Sequence, residues 1–99
     1  MALMEIKILP LGTGSTSVSG YVAGSMQVTR ESGLKHQLTP MGTVVEGTVD
    51  ELLALARKIH EVPFEAGAGR VVTVIEIDDR RDKPSTMDSK VESVRRKLA

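Results

Sequence analysis

The sequence contains no cysteine, no tryptophan and no asparagine, and its only aromatic rings of the Phe/Tyr type are Tyr21 and Phe64. Without cysteine there is no disulfide to staple a small core, no thiol nucleophile and no thiolate metal site. Neither ring lies on an expected strand, so the two cannot build the sheet platform on which single-stranded RNA stacks its bases. Lys plus Arg and Asp plus Glu each number 13, so the formal net charge is zero. The basic excess that neutralises phosphates is therefore missing. No apolar run approaches the ~20 residues of a membrane span. Met1 to Pro10 carries Glu5 and Lys7 within its apolar stretch and has no basic leader, so it does not read as a signal peptide. The expectation is one domain over residues 1–99, cytoplasmic, with neither nucleic acid nor membrane as partner. A chain this short buries only about 65% of the surface of its unfolded form. Self-association is the expected source of further stability.

Alternation marks Leu3 to Leu11 as a strand, with Pro10 signalling a free edge or a bulge near its end. Gly12–Ser17 is a loop, and Thr16 or Ser17 is the expected N-cap of a first helix. Val18, Val22 and Met26, with Tyr21 and Ser25 beside them, give that helix its apolar side, and Gly33 is its expected left-handed end. Leu34–Thr39 and Thr43–Gly47 read as two strands of a hairpin turning at Pro40-Met41-Gly42. Thr48-Val49-Asp50-Glu51 is a capping box. It opens a second helix with the stripe Val49, Leu52, Leu53, Ala56 and Ile59, expected to end at Pro63. Arg70–Ile77 is rich in β-branched residues and is a fourth strand. A second capping box at Ser85-Thr86-Met87-Asp88 opens a third helix, with Met87, Val91, Val94 and Leu98 in line and Arg95, Arg96 and Lys97 at its negative end.

The order strand, helix, strand, strand, helix, strand is the ferredoxin-like β-α-β-β-α-β unit: α+β, a four-stranded antiparallel sheet, here with a C-terminal helix added. Val72 and Val74 alternate with Val71, Ile75 and Ile77 on the fourth strand. Both faces of that strand are apolar, the pattern of a strand buried on both sides. Two helices cover only one face of the sheet, so another copy of the chain is expected to meet the other.

Chemistry-bearing residues are few. Gly12-Thr13-Gly14-Ser15-Thr16-Ser17 lacks the Gly-Lys-Ser/Thr of a phosphate loop and reads as a turn with redundant hydroxyls. Gly20 and Gly24 lie four apart within a helix, where each costs roughly 1 kcal/mol relative to Ala, so close packing against that backbone is expected. His36 and His60 form no His-x-x-x-His pair; they read as half-buried packing residues, and no metal, cofactor or catalytic residue is assigned. Asp78–Lys83 alternates in sign and reads as a surface network of ion pairs. Thr39, Thr43 and Glu46 lie around the hairpin, and Ser19 lies one turn into the first helix. Such a polar set suits a neutral or cationic heterocycle.

Three segments resemble the thiamine-binding protein family. They are Thr16–Ala23, then Leu38-Thr39-Pro40-Met41-Gly42-Thr43-Val44-Val45-Glu46-Gly47, then Arg70 to Val94 with its Asp-Asp-Arg-Arg-Asp-Lys stretch. The resemblance implies a ferredoxin-like fold, a homotetramer built as a dimer of dimers, and non-catalytic binding of thiamine or its hydroxymethylpyrimidine part as a sensor, buffer or carrier. Carried over by position, it marks Ser19, Thr39, Thr43 and Glu46 as ligand-facing. It also marks His36, which stands where the family commonly has tyrosine. Met41 or Met26 is then the candidate for a soft wall in place of an aromatic one. Two rival functions are a structural homo-oligomer with a vestigial pocket and a small acyl-phosphate phosphatase of the same fold. The second needs an asparagine to position water, and the chain has none.

Overall fold

The computed structural model describes all residues from Met1 to Ala99. Its elements are β1 (Ala2–Leu11), α1 (Ser19–Glu31), β2 (His36–Thr39), β3 (Gly42–Gly47), α2 (Val49–Glu65), β4 (Arg70–Asp78) and α3 (Met87–Leu98). The strands form one antiparallel sheet in the order β2-β3-β1-β4. This is the α+β ferredoxin-like arrangement expected from the element order, with α3 added after β4.

Strand alternation sorts the sheet into two faces. Ala2, Met4, Ile6, Ile8 and Pro10 of β1 turn inward and are buried, while Leu9 and Leu11 turn outward and are exposed. Register extends each face across the sheet: Ile6 stands opposite Thr43 on one side and Ile75 on the other. α2 closes the inner face with Leu52, Leu55, Ala56 and Ile59, which join β1 and Val45 in the core. These four follow at spacings of three, one and three, one face of a 3.6-residue helix. Leu55 takes the inward place expected for Leu53, and Leu53 is exposed. Met4 and Leu52 retain no exposed surface, so Leu52→Ala would cost about 2–5 kcal/mol in transfer and cavity terms.

Several element boundaries differ from the sequence reading for identifiable reasons. α1 begins one residue later than its expected caps: Val18 occupies the cap position and no side chain accepts from the first turn. Instead the Ser15 hydroxyl accepts from the Ser17 amide within the loop, and the Ser17 hydroxyl pairs with that of Ser19 at the start of α1. Gly33 does adopt a left-handed φ of 73° just past α1. β2 begins at His36, because Leu34 and Lys35 lead out of that turn. Pro63 lies inside the last turn of α2 and is buried. The helix runs on to Glu65 and ends in a Schellman arrangement: the Ala68 amide donates to the Pro63 carbonyl, the Gly67 amide to the Phe64 carbonyl, and Gly67 has φ 97°. The second capping box sits one residue further on than expected, with Thr86 as cap and Ser89 returning the bond.

α1 presents a small, polar inner row. Ser25 and Thr29 are its buried residues, and their hydroxyls donate back to the Tyr21 and Ser25 carbonyls at 3.1 and 2.8 Å. Gly24 marks where α1 meets α2, since a Cβ there would stand 2.9 Å from Val62 Cγ1. α3 lies apart. Its Met87 is buried, whereas Val91, Val94 and Leu98 of the same stripe are exposed.

Candidate functional site

The narrow inner row of α1 leaves space between α1, the later half of β1 and the hairpin tip. A cavity of about 300 Å³ occupies it. Ile6, Ile8 and Ile59 form its floor, Val18, Val22 and Ser25 its α1 side, and Leu38, Thr39, Pro40, Met41 and Thr43 its hairpin side. Lys7 is the only residue along the wall with an ionisable side chain. The place of the cavity follows from strand lengths. β1 has ten residues, but β3 pairs only with Ala2 to Ile6, so the cavity lies where β3 would have continued.

The structure brings two of the five marked residues to this cavity. Thr43 is buried on the inner face, and its hydroxyl meets only the Met26 sulfur, at 3.6 Å. That is a weak partner, and it leaves the oxygen free to accept. Thr39 stands at the rim with its hydroxyl fully used. It donates to the Gly42 carbonyl at 2.8 Å and accepts from the Met41 and Gly42 amides, each at 3.2 Å. Those bonds lock the Pro40-Met41 turn. Met41, 70% exposed, contributes the soft wall at the rim, and Met26 stands behind Thr43.

The other three lie outside the wall. Ser19 follows Val18 in sequence, and its hydroxyl faces that of Ser17 at 3.2 Å. His36 pairs with Val45 across the hairpin, and its Nδ1 lies 2.8 Å from the Leu34 carbonyl. Glu46 stands opposite Leu3, on the outer face, and is buried. Its carboxylate accepts from the Met87 amide at 2.5 Å. Lys35 and Asp88 pair at 2.5 Å and Lys90 pairs with Asp78, so three polar ties hold the first turn of α3 to the sheet. The Lys35 ammonium bonded to Asp88 holds that carboxyl below the ordinary aspartate value.

Ser25 is the polar wall residue that the sequence did not single out as a site. Its only signal was a serine in the apolar row of α1. The Asp78–Lys83 run forms the ion pairs expected of it, Arg80 with Asp82 and Arg81 with Asp79. The Arg80 guanidinium holds the Asp82 carboxyl down at about 2. No group of three or more His, Asp or Glu side chains converges as a metal site would need. No helix is long and apolar enough to cross a membrane.

A split β-α-β sandwich with a cavity beside its central hairpin defines the class, a ferredoxin-like domain. The model of the family described as thiamine-binding protein matches residues 4–95, and the chain belongs to that family. The UPF0045 protein YqgV of Bacillus subtilis is 47% identical over 99% of this chain and 98% of its own length. The crystal structure of the hypothetical protein MJ1052 of Methanocaldococcus jannaschii superposes with a TM-score of 0.85 at 36% identity, over 94% of each chain. A domain of unknown function, DUF77, from Bacillus cereus superposes with a TM-score of 0.83 at 28% identity, over 99% of this chain and 93% of that one.

Proposed function

We propose that this chain binds the hydroxymethylpyrimidine part of thiamine in the cavity between α1 and the hairpin, without catalysing a reaction on it. The observation that carries the reading is the composition of the wall. It is mostly aliphatic, it holds the hydroxyls of Thr43 and Ser25, and it has no carboxylate or histidine. Apolar lining with a few convergent polar groups is the usual make-up of a small-molecule site. A flat, uncharged ring fits that lining. The thiazolium cation of intact thiamine finds no carboxylate there, so the free pyrimidine is the preferred ligand. General acid–base chemistry needs a titratable group within reach of the substrate. The wall offers Lys7 alone, which favours binding over turnover.

Of the five residues marked by the family resemblance, Thr43 contacts the ligand and Thr39 shapes the rim. Ser19, His36 and Glu46 act away from the cavity. Met41 supplies a polarisable surface against the ring in place of an aromatic. Isothermal titration with hydroxymethylpyrimidine and with thiamine tests the reading. Heat with the pyrimidine and weaker or no heat with thiamine supports it. No heat with either, for folded protein, overturns it.

The protein works as a cytoplasmic homotetramer, a dimer of dimers. The outward Leu9, Leu11 and Val72 on the sheet and the Val91, Val94 and Leu98 stripe on α3 are apolar and exposed in a single chain. Apolar surface gathered on one face marks association sites. Native mass spectrometry at micromolar concentration gives a tetramer on this reading; a well-folded monomer contradicts it.

A further inference from the structure

The side chains supply little of the ligand's hydrogen bonding in this cavity: Thr39 is fully committed and Ser25 has already donated to the Tyr21 carbonyl, which leaves the Thr43 hydroxyl. The main chain of β1 supplies one. In an antiparallel ladder successive residues direct their N–H and C=O to opposite edges of the strand. Two features fix which residues of β1 face β3. A Cβ added at Gly42 of β3 would stand 3.1 Å from the Ile6 carbonyl oxygen, so the Ile6 carbonyl is directed to that side. Pro10 has no N–H, yet β1 stays paired with β4 through Leu11 and Arg70. A proline within a ladder is tolerated where its nitrogen faces away from the partner strand, so Pro10 also faces the β3 side. Ile6, Pro10 and therefore Ile8, midway between them, share that direction.

Ile6 meets Thr43 there, the last pair of the β1–β3 ladder. Beyond it β3 has only Gly42 before the Pro40-Met41 turn, and Ile8 has no strand residue opposite. No turn or loop backbone bond reaches its N–H or C=O. Ile8 is only 5% exposed and lines the cavity. Buried main-chain donors and acceptors are almost always paired, because leaving them bare costs as much as a lost hydrogen bond. Pro10, the next residue on that side, removes one further orphan donor.

We propose that the Ile8 N–H and C=O form the recognition edge of the cavity, and that the ligand completes the sheet there as a one-residue strand would. The ligand class is a planar heterocycle or cis-amide with a hydrogen-bond acceptor and an N–H donor side by side. The acceptor receives the Ile8 N–H, and the donor meets the Ile8 carbonyl. An aminopyrimidine has such an edge, so the inference deepens the function proposed above and rests on the same cavity. It also makes a demand of its own, that discrimination follows the donor–acceptor edge and not the Thr43 hydroxyl alone.

Amide hydrogen exchange followed by NMR on the full-length protein tests it, first without ligand. The Lys7 and Leu9 amides, directed to β4, are expected to be protected, and the Ile8 amide to exchange at least about tenfold faster than either, as an unpaired donor does. Hydroxymethylpyrimidine, 2-aminopyrimidine and 2-pyridone are then added in turn, with toluene as the shape control. The expected result is slowed exchange and a shift of the Ile8 amide with a donor–acceptor probe and none with toluene. Dimethylating the ligand's amino group is expected to weaken binding by roughly tenfold, one buried hydrogen bond. Response to 2-pyridone without response to hydroxymethylpyrimidine upholds the edge and rejects the pyrimidine reading. An Ile8 amide already as protected as its neighbours overturns the inference. So does binding of any donor–acceptor probe that leaves Ile8 unmoved, or an open Ile8 that no such probe perturbs.

Discussion

The Glu46 carboxylate on β3 and the Met87 amide at the start of α3 share a hydrogen bond of 2.5 Å across 41 residues of sequence. A buried carboxylate is costly unless it is bonded, and an N–H at a helix start needs an acceptor, so each group answers the other. Glu46→Ala removes the acceptor and leaves that amide unsatisfied. The expected loss is about 1–3 kcal/mol of stability by urea unfolding. Ligand affinity at the cavity, on the other face of the sheet, should stay within about twofold, less than the fivefold that ~1 kcal/mol represents. Loss of binding without loss of stability would return Glu46 to the ligand site.

Thr43→Val addresses the hydroxyl placed at the ligand. The side chains are close in shape, and the bond given up is the weak one to the Met26 sulfur. Stability should change by less than about 1 kcal/mol. Titration calorimetry should show affinity for hydroxymethylpyrimidine lower by about five- to thirtyfold, the worth of one hydrogen bond in a desolvated site.

The two glycines of α1 should respond in opposite senses. A Cβ at Gly20 meets open space, so Gly20→Ala should stabilise by up to about 1 kcal/mol through helix propensity alone. At Gly24 the same methyl would come within 2.9 Å of Val62 Cγ1, a stiff β-branched side chain. Gly24→Ala should lose that gain or destabilise, and Val62→Ala in the same chain should restore it. A double-mutant cycle by thermal unfolding measures the coupling.

The tether of α3 should respond to acid and not to neutral pH. The hydrogen bond and charge of Lys35 lower the Asp88 carboxyl from its ordinary 3.8. A carboxyl lowered on folding stabilises above its unfolded value and loses that contribution as pH falls through the folded one. Backbone NMR shifts of Met87, Asp88 and Ser89 should therefore hold steady from pH ~7 to ~5 and move together only below 3.8. High salt should weaken the same exposed pair. Movement near pH ~6 would place the tether on another group.

Elements that declare themselves by period or by cap were legible in the sequence. β4 with its run of Val and Ile, the Thr48–Glu51 box of α2 and the Gly33 terminator of α1 all lie where the pattern put them. Pro63 misled because a proline in the last helical turn removes only one N–H and can still pack in the core. Leu53 and Leu55 exchanged roles because the stripe of α2 depends on which way the helix is rolled against β1, a tertiary fact. For the cavity, the family resemblance supplied the hairpin threonines. The committed hydroxyl of Thr39 and the outward register of Glu46 could not be read from spacing. Pro10 was the one sequence sign of an open edge, and its meaning depended on where β3 stops.

The most direct measurement is a crystal structure with hydroxymethylpyrimidine bound. The account predicts a flat ring between Val22 and Met41, with one edge on the main chain of Ile8 and the Thr43 hydroxyl within hydrogen-bond distance. An empty cavity with the ring seated instead against Ser19, His36 and Glu46 would contradict it.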